Sequence, residues 1–217
     1  MLLRPALFVE GKDDEHTVAH LLLRREIDCH ALGLRIVGEN GTGAQSGVER
    51  VLSAIVLQTP RSGGEPVGFI VDIDDNLEAR WEAVCGRLRQ VDVPAPNSPP
   101  VGGFIGQSGK YKTTVGVWLM PDNQNPGTLE DFVATLVMEG DSLIGHAEGA
   151  TDRATQLGAT FPAQDALKAR LHAWLAWQER PGCPFGTALR ARYFRDDSQA
   201  ANAFVSWFRR LFDVQDM

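Results

Sequence analysis

The chain has 217 residues, 43% of them hydrophobic, and a formal net charge of −7. That length and apolar content suit one large domain, or a core domain with a helical extension, and the acidic balance argues against a generally basic surface built to coat nucleic acid. No apolar stretch reaches the roughly 18–20 residues that cross a bilayer. Three scattered cysteines (Cys29, Cys85, Cys183), without CxxC or Cys/His zinc spacing, point to free thiols in a reducing cytoplasm.

The first apolar run, ALFV at 6–9, is a poor signal-peptide core, because it ends in Glu10-Gly11-Lys12-Asp13-Asp14 without a cleavage site. It reads instead as a short strand, followed by helical periodicity from Asp13 to Arg25 through Val18, Leu21 and Leu22. LRIV at 34–37 is the next strand, and the loop GENGTGAQSG leads into a helical stripe at 48, 51, 52 and 55. VGFIV at 67–71 is a near-continuous apolar strand, Asn76 to Arg89 an amphipathic helix, and VDVPAPNSPP at 91–100 a proline-rich loop. Residues 101–106 and 115–120 read as further strands around GQSGKYKTT, a hairpin or a loop. Repeated strand–helix–strand order with buried-type strands argues for an α/β fold with a parallel sheet covered by helices on both faces.

After Pro121 the character changes. PDNQNPGT is turn-rich, Thr128 is placed to cap a helix running from Leu129 to Met138, and residues 141–217 are mostly helical apart from the break at PGCPFG. Trp174, Trp177, Trp207 and Phe208 are expected to supply core volume there. Basic residues recur in this part (Lys168, Arg170, Arg190, Arg192, Arg195, Arg209, Arg210), with no indication from sequence of whether they share a face.

Two acidic clusters carry the chemistry: Glu10 and Asp14 after the first strand, and Asp72 and Asp74 after VGFIV. In an open parallel sheet, side chains at the carboxyl ends of strands converge on one crevice. Strand alternation puts Asp72 and Asp74 on the same side. Glu130, in the first turn of its helix, lies at the same rim. Acids in a first turn also favour a helix dipole, which is an alternative account of Asp13, Asp14 and Glu130. Four carboxylates in a small volume stay ionised together only with cations among them. Hard oxygen ligands, with no cysteine or histidine cluster nearby, select Mg²⁺ or Mn²⁺ over zinc.

The order strand–EGKDD–helix, strand–DxD–helix and a later acid resembles the Toprim (topoisomerase–primase) domain. The finer likeness is to the Toprim domains of the overcoming-lysogenization-defect nucleases and to a related family of small bacterial proteins, which VWLMPDNQNPGTLEDF and KARLHAWLAWQERPG also resemble. The resemblance implies a Toprim-type, Rossmann-like parallel sheet over residues 1–140 and a helical extension packed on it over 141–217. It further implies Mg²⁺- or Mn²⁺-dependent hydrolysis of nucleic-acid phosphodiesters. Glu10 would be general acid/base or metal ligand, Asp14, Asp72, Asp74 and Glu130 would be metal ligands, and Lys168 would neutralise transition-state charge unless it is simply a solvated helix lysine. Nucleic acid is the implied partner, with an ATPase and a second copy of the chain as further partners of such domains. A non-catalytic metal- and nucleic-acid-binding module, or one that regulates a partner, would carry the same acids.

The other motifs say less. GENGTGAQSG could cradle a phosphate or be a plain connection, but it lacks the GK[ST] of a Walker loop; SGKYK fails that motif too. His16 and His20 are four apart, but HTVAH lacks the HExxH glutamate. VDIDDNL also resembles the nucleophile loop of haloacid-dehalogenase-type phosphatases. Here, however, it follows the third strand, Asn76 replaces the usual Thr/Val, and only Asp196-Asp197 offers a later acid pair.

Overall fold

The computed structural model describes residues 4–38 and 46–215. Five short apolar segments form one sheet: β1 (Ala6–Val9), β2 (Arg35–Gly38), β3 (Val67–Asp72), β4 (Phe104–Gln107) and β5 (Thr114–Met120), in the order β2-β1-β3-β5-β4. The first four neighbours run parallel, with Ala6 beside Val67 and Phe8 beside Phe69. β4 corrects the all-parallel expectation. It returns as the antiparallel arm of a hairpin with β5, closed where Ser108 N–H donates to Thr113 O at 2.9 Å. The strand starts at Phe104 rather than 101 because Gly103 has φ 79° and lies against the Trp207 ring, where a Cβ would come within 2.4 Å.

The connections are helices with defined starts. α1 (Lys12–Arg24) opens with Asp13, Asp14 and Glu15, whose charges suit the positive end of the helix dipole. α2 (Gly47–Gln58) and α3 (Leu77–Gln90) are capped by Ser46 and Asn76, each accepting a backbone N–H. α4 (Leu129–Ala134) starts at a capping box of Thr128 and Asp131 and ends earlier than Met138, where Thr135 Oγ1 turns back to Phe132 O. Beyond it come α5 (Ser142–Gln156), α6 (Ala166–Leu175), α7 (Phe185–Arg190) and α8 (Gln199–Phe212). None of these helices is long and apolar enough to cross a membrane.

Helices cover both faces. On one, Val51, Leu52 and Ile55 of α2 and Trp81, Val84 and Leu88 of α3 pack on Phe69, Val71, Val115 and Val117. On the other, α1 and the C-terminal helices bury Leu7, Ile70 and Trp118 under Phe204, Trp207 and Phe208. Trp174 is buried there as expected. Trp177 is not: it is 42% exposed and leans on His146, with ring centroids 5.0 Å apart. α8 comes closest to the sheet where Gly68 of β3 pairs with Gly116 of β5. A Cβ on Gly116 would lie 2.4 Å, and one on Gly68 2.9 Å, from Cδ2 of Leu211, so the paired glycines form a notch for that side chain. Gly116→Ala should therefore overpack this contact, costing about 1–3 kcal/mol and lowering Tm by several degrees in a thermal melt. Gly149→Ala, mid-α5 with open space around it, should leave Tm unchanged or raise it; equal behaviour of the two variants would refute the notch.

Candidate acidic site at the carboxyl rim of the sheet

β2 lies on one side of β1 and β3 on the other, so the strand order reverses between β1 and β3. Ligand crevices in open α/β sheets form at the carboxyl ends of strands at this kind of switch point. Glu10 follows β1 there and Asp72 ends β3. Their contact is direct: Asp72 N–H donates to Glu10 Oε1 at 3.0 Å, across 62 residues of sequence. The other side of Glu10 is held by the start of α2. Arg50 Nη2 donates to the Glu10 carbonyl at 3.1 Å, and Gly47 lies so close that a Cβ would be 2.6 Å from Glu10 Oε2. The turn after Glu10 is also packed tightly, because a Cβ on Gly38 would run into the Gly11 carbonyl at 2.1 Å.

A cleft of about 280 Å³ opens here, lined by Glu10, Asp14, Asp72, Glu130, Lys168 and Phe185 among others. Asp14 is presented by the first turn of α1 and Glu130 by that of α4. Glu130 is held at both oxygens, with Thr128 Oγ1 donating to Oε2 at 2.9 Å and Lys168 Nζ pairing with Oε1 at 2.9 Å. Thus five of the six residues expected from sequence share one cleft. Asp74 does not line it. Alternation stops at Asp72, because Asp74 lies beyond the strand in a left-handed conformation (φ 57°) and makes an isolated bridge with Gly127. Its half-exposed carboxylate accepts from Arg80 Nη2 at 2.6 Å.

The electrostatics of the cleft are those of crowded anions. Burial, then the charges of Glu10, Asp14, Glu130 and Asp74, push the Asp72 carboxyl far above its ordinary range. Burial, together with Asp14 and Asp74, raises Glu10 to about 7 against the lowering effects of the Asp72 N–H and Arg80. Asp14 is raised to about 6, by burial first and then by Glu130 and Asp13. Glu130 goes the other way: burial opposes its ionisation, but the bond and charge of Lys168 and the bond from Thr128 outweigh it. Without a cation the cleft therefore keeps protons at neutral pH.

Whether these residues suit a metal turns on their donors. Among the described residues, no three His, Cys, Asp or Glu side chains are already gathered as a metal-holding group. The donor set nevertheless fits a hard cation. The cleft offers carboxylate oxygens, and Asp72 Oδ1 is buried with no hydrogen-bond partner. The three cysteines are free and apart from the cleft.

Other sequence motifs fall elsewhere. Residues 39–45 of GENGTGAQSG lie outside the described residues. SGKYK forms the β4–β5 hairpin tip, at the amino end of β5. Asp196 pairs with Arg24 and Asp197 with Arg195, so neither offers a second acid to the cleft. Sequence reading overlooked Gly47 and Phe185. Gly47 ends a glycine-rich segment that reads as a phosphate cradle or a plain connection, not as a wall against Glu10, and Phe185 lies in PGCPFG, legible only as a helix break.

No curated protein and no solved structure matches the chain. One protein family does match, over residues 4–213, described as "Protein of unknown function (DUF3226)". With nearly its whole length covered, the chain belongs to the DUF3226 family.

Proposed function

We propose that the chain is a Toprim-type nuclease that hydrolyses nucleic-acid phosphodiesters with Mg²⁺ or Mn²⁺. The observation that carries this reading is the part-buried meeting of Glu10 and Asp72 at the switch point, with Asp14 and Glu130 lining the same cleft. Asp72, Asp14, Glu10 and Glu130 would hold the cation, and Asp74 would join only by leaving Arg80. A bound Mg²⁺ or Mn²⁺ supplies Lewis acidity toward a phosphoryl oxygen and a more acidic water. Where it does not ligate the cation, Glu10 supplies a carboxyl in the cleft wall that is placed for general acid/base work. Its Oε1 is fixed by the Asp72 N–H, which leaves Oε2 to exchange the proton. Lys168 brings a half-exposed ammonium to the rim of the cleft, where it can meet phosphate charge.

A second reading is a metal- and nucleic-acid-binding module, or a regulator of a partner such as an ATPase, that does not cut. It is favoured by the pairing of Lys168 with Glu130, which occupies the ammonium that would otherwise meet phosphate charge. The phosphatase reading requires Asp74 as acid/base, but that carboxylate is engaged by Arg80.

Purified protein should cleave single- or double-stranded DNA or RNA with Mg²⁺ or Mn²⁺ and not with EDTA. Glu10→Gln should lower the rate by about 10²–10⁴-fold, and Asp72→Asn should abolish cutting, while both keep the native circular dichroism spectrum. Binding without cleavage of any substrate would favour the module. The pH dependence of stability has a definite sign. Acids raised in the folded state bind more protons there than in the unfolded chain, so metal-free stability should fall as pH rises. The window runs from the ordinary carboxylate range near 4 up through about 9, where Asp72 is half ionised. Because a cation stabilises the ionised cluster, adding 10 mM (on the order of physiological excess) MgCl₂ should raise Tm more at pH 8 than at pH 5. No Tm response to Mg²⁺ or Mn²⁺ at either pH would count against the metal site.

A further inference from the structure

Beyond the cleft, acidic residues are missing from three stretches of the sequence. The chain has 28 acidic and 21 basic residues, yet segments 16–25, 166–178 and 180–195 contain no Asp or Glu. These segments hold most of α1, all of α6 and all of α7, and they meet around Phe185. That ring lines the cleft and stacks on His172 of α6, with centroids 5.1 Å apart and planes 19° from parallel. The adjacent Gly186 lies against His16 of α1, where a Cβ would come within 2.8 Å of its backbone. One helical turn further along each element come His20 of α1 and Arg190 of α7. α1 and α7 pack on each other, which brings His20 and Arg190 together, and partial burial, then Arg190 and His16, hold the His20 imidazole below its ordinary range.

Most other cations of these segments are committed. Arg24 pairs with Asp196, Arg170 with Glu148 and Arg195 with Asp197, and Arg25 donates to Asn202. Arg190 is exposed and forms no ion pair with a described residue. Lys168, one turn before His172, continues the row to the rim of the cleft. A row of cationic and imidazole donors that meets carboxylates at Lys168, where it joins the acidic cleft, matches a linear polyanion whose one scissile group enters the acids while its flanking phosphates stay outside them.

We propose that His172, His16, His20 and Arg190 carry the phosphate backbone of a polynucleotide where it leaves the cleft, an inference that rests on the nuclease reading above. Arg190 supplies the charge, and the imidazoles supply N–H donors to phosphate oxygens.

The test uses the full chain in a Glu10→Gln background, in which cutting should be slowed by about 10²–10⁴-fold, and fluorescein-labelled single-stranded DNA, duplex DNA and RNA. Fluorescence anisotropy is read with Mg²⁺ across a salt series. Arg190→Glu should weaken binding roughly tenfold and reduce the slope of log affinity against log salt by about 1. Arg190→Lys should keep most of the affinity. Arg61→Glu makes the same charge change at the opposite, amino end of β3 and should leave affinity and slope unchanged. If Arg190→Glu melts normally and binds as its parent does, or if Arg61→Glu weakens binding equally, the row is not the track, and wild-type cleavage would still uphold the nuclease. If wild-type protein neither binds nor cuts any of the three substrates, the nuclease reading falls and the track with it.

Discussion

The hydrogen bond from Asp72 N–H to Glu10 Oε1 fixes two carboxyl groups at the point where the sheet reverses direction. It exists because β1 and β3 are adjacent, parallel and in register, so the residue just past one strand meets the backbone at the end of the other. The other side chains of the cleft are brought to this pair by helix starts, Asp14 by α1, Glu130 by α4, Lys168 by α6 and Phe185 by α7, while Gly47 and Arg50 of α2 back Glu10. A shift of either strand by one residue would turn Glu10 or Asp72 away from the crevice and leave the remaining acids as unrelated surface groups.

Such a cluster works against the fold that holds it. Burial and mutual repulsion disfavour ionisation of Glu10, Asp14 and Asp72, and the protein accommodates them as partly protonated groups. Two apolar layers, one on each face of the sheet, provide the stability that keeps these groups in place. Glu130 is the exception, since Lys168 neutralises it locally. The cleft therefore combines three carboxyls that prefer a proton or a cation with one already matched to an internal ammonium.

Much of this was readable in the sequence because it depends on local pattern. VGFIV followed by Asp72 announces a buried strand ending in a carboxyl group, and Thr128 before LEDF announces a helix start that carries Glu130 to the rim. Asp74 was misplaced because alternation holds only inside a strand, and the left-handed turn with the Gly127 bridge begins just after Asp72. The reversed direction of β4 was not legible, since an apolar run of four residues carries no sign of its polarity. Trp177 and Phe185 show the same limit in opposite senses. Both are large aromatic residues, one in a helical stretch and one in a helix break, and only the packing of α5, α6 and α7 leaves Trp177 on the surface and puts Phe185 in the cleft wall.

The notch formed by Gly68 and Gly116 has a consequence for how the molecule comes into being. Its occupant, Leu211, is supplied by the last helix, and Phe204, Trp207 and Phe208 of that helix roof Ile70 and Trp118. During synthesis, this face of the sheet stays open to water until the final turns of α8 have emerged from the ribosome. The native arrangement, with the acidic rim held on a closed core, therefore waits on a helix made long after the strands it covers.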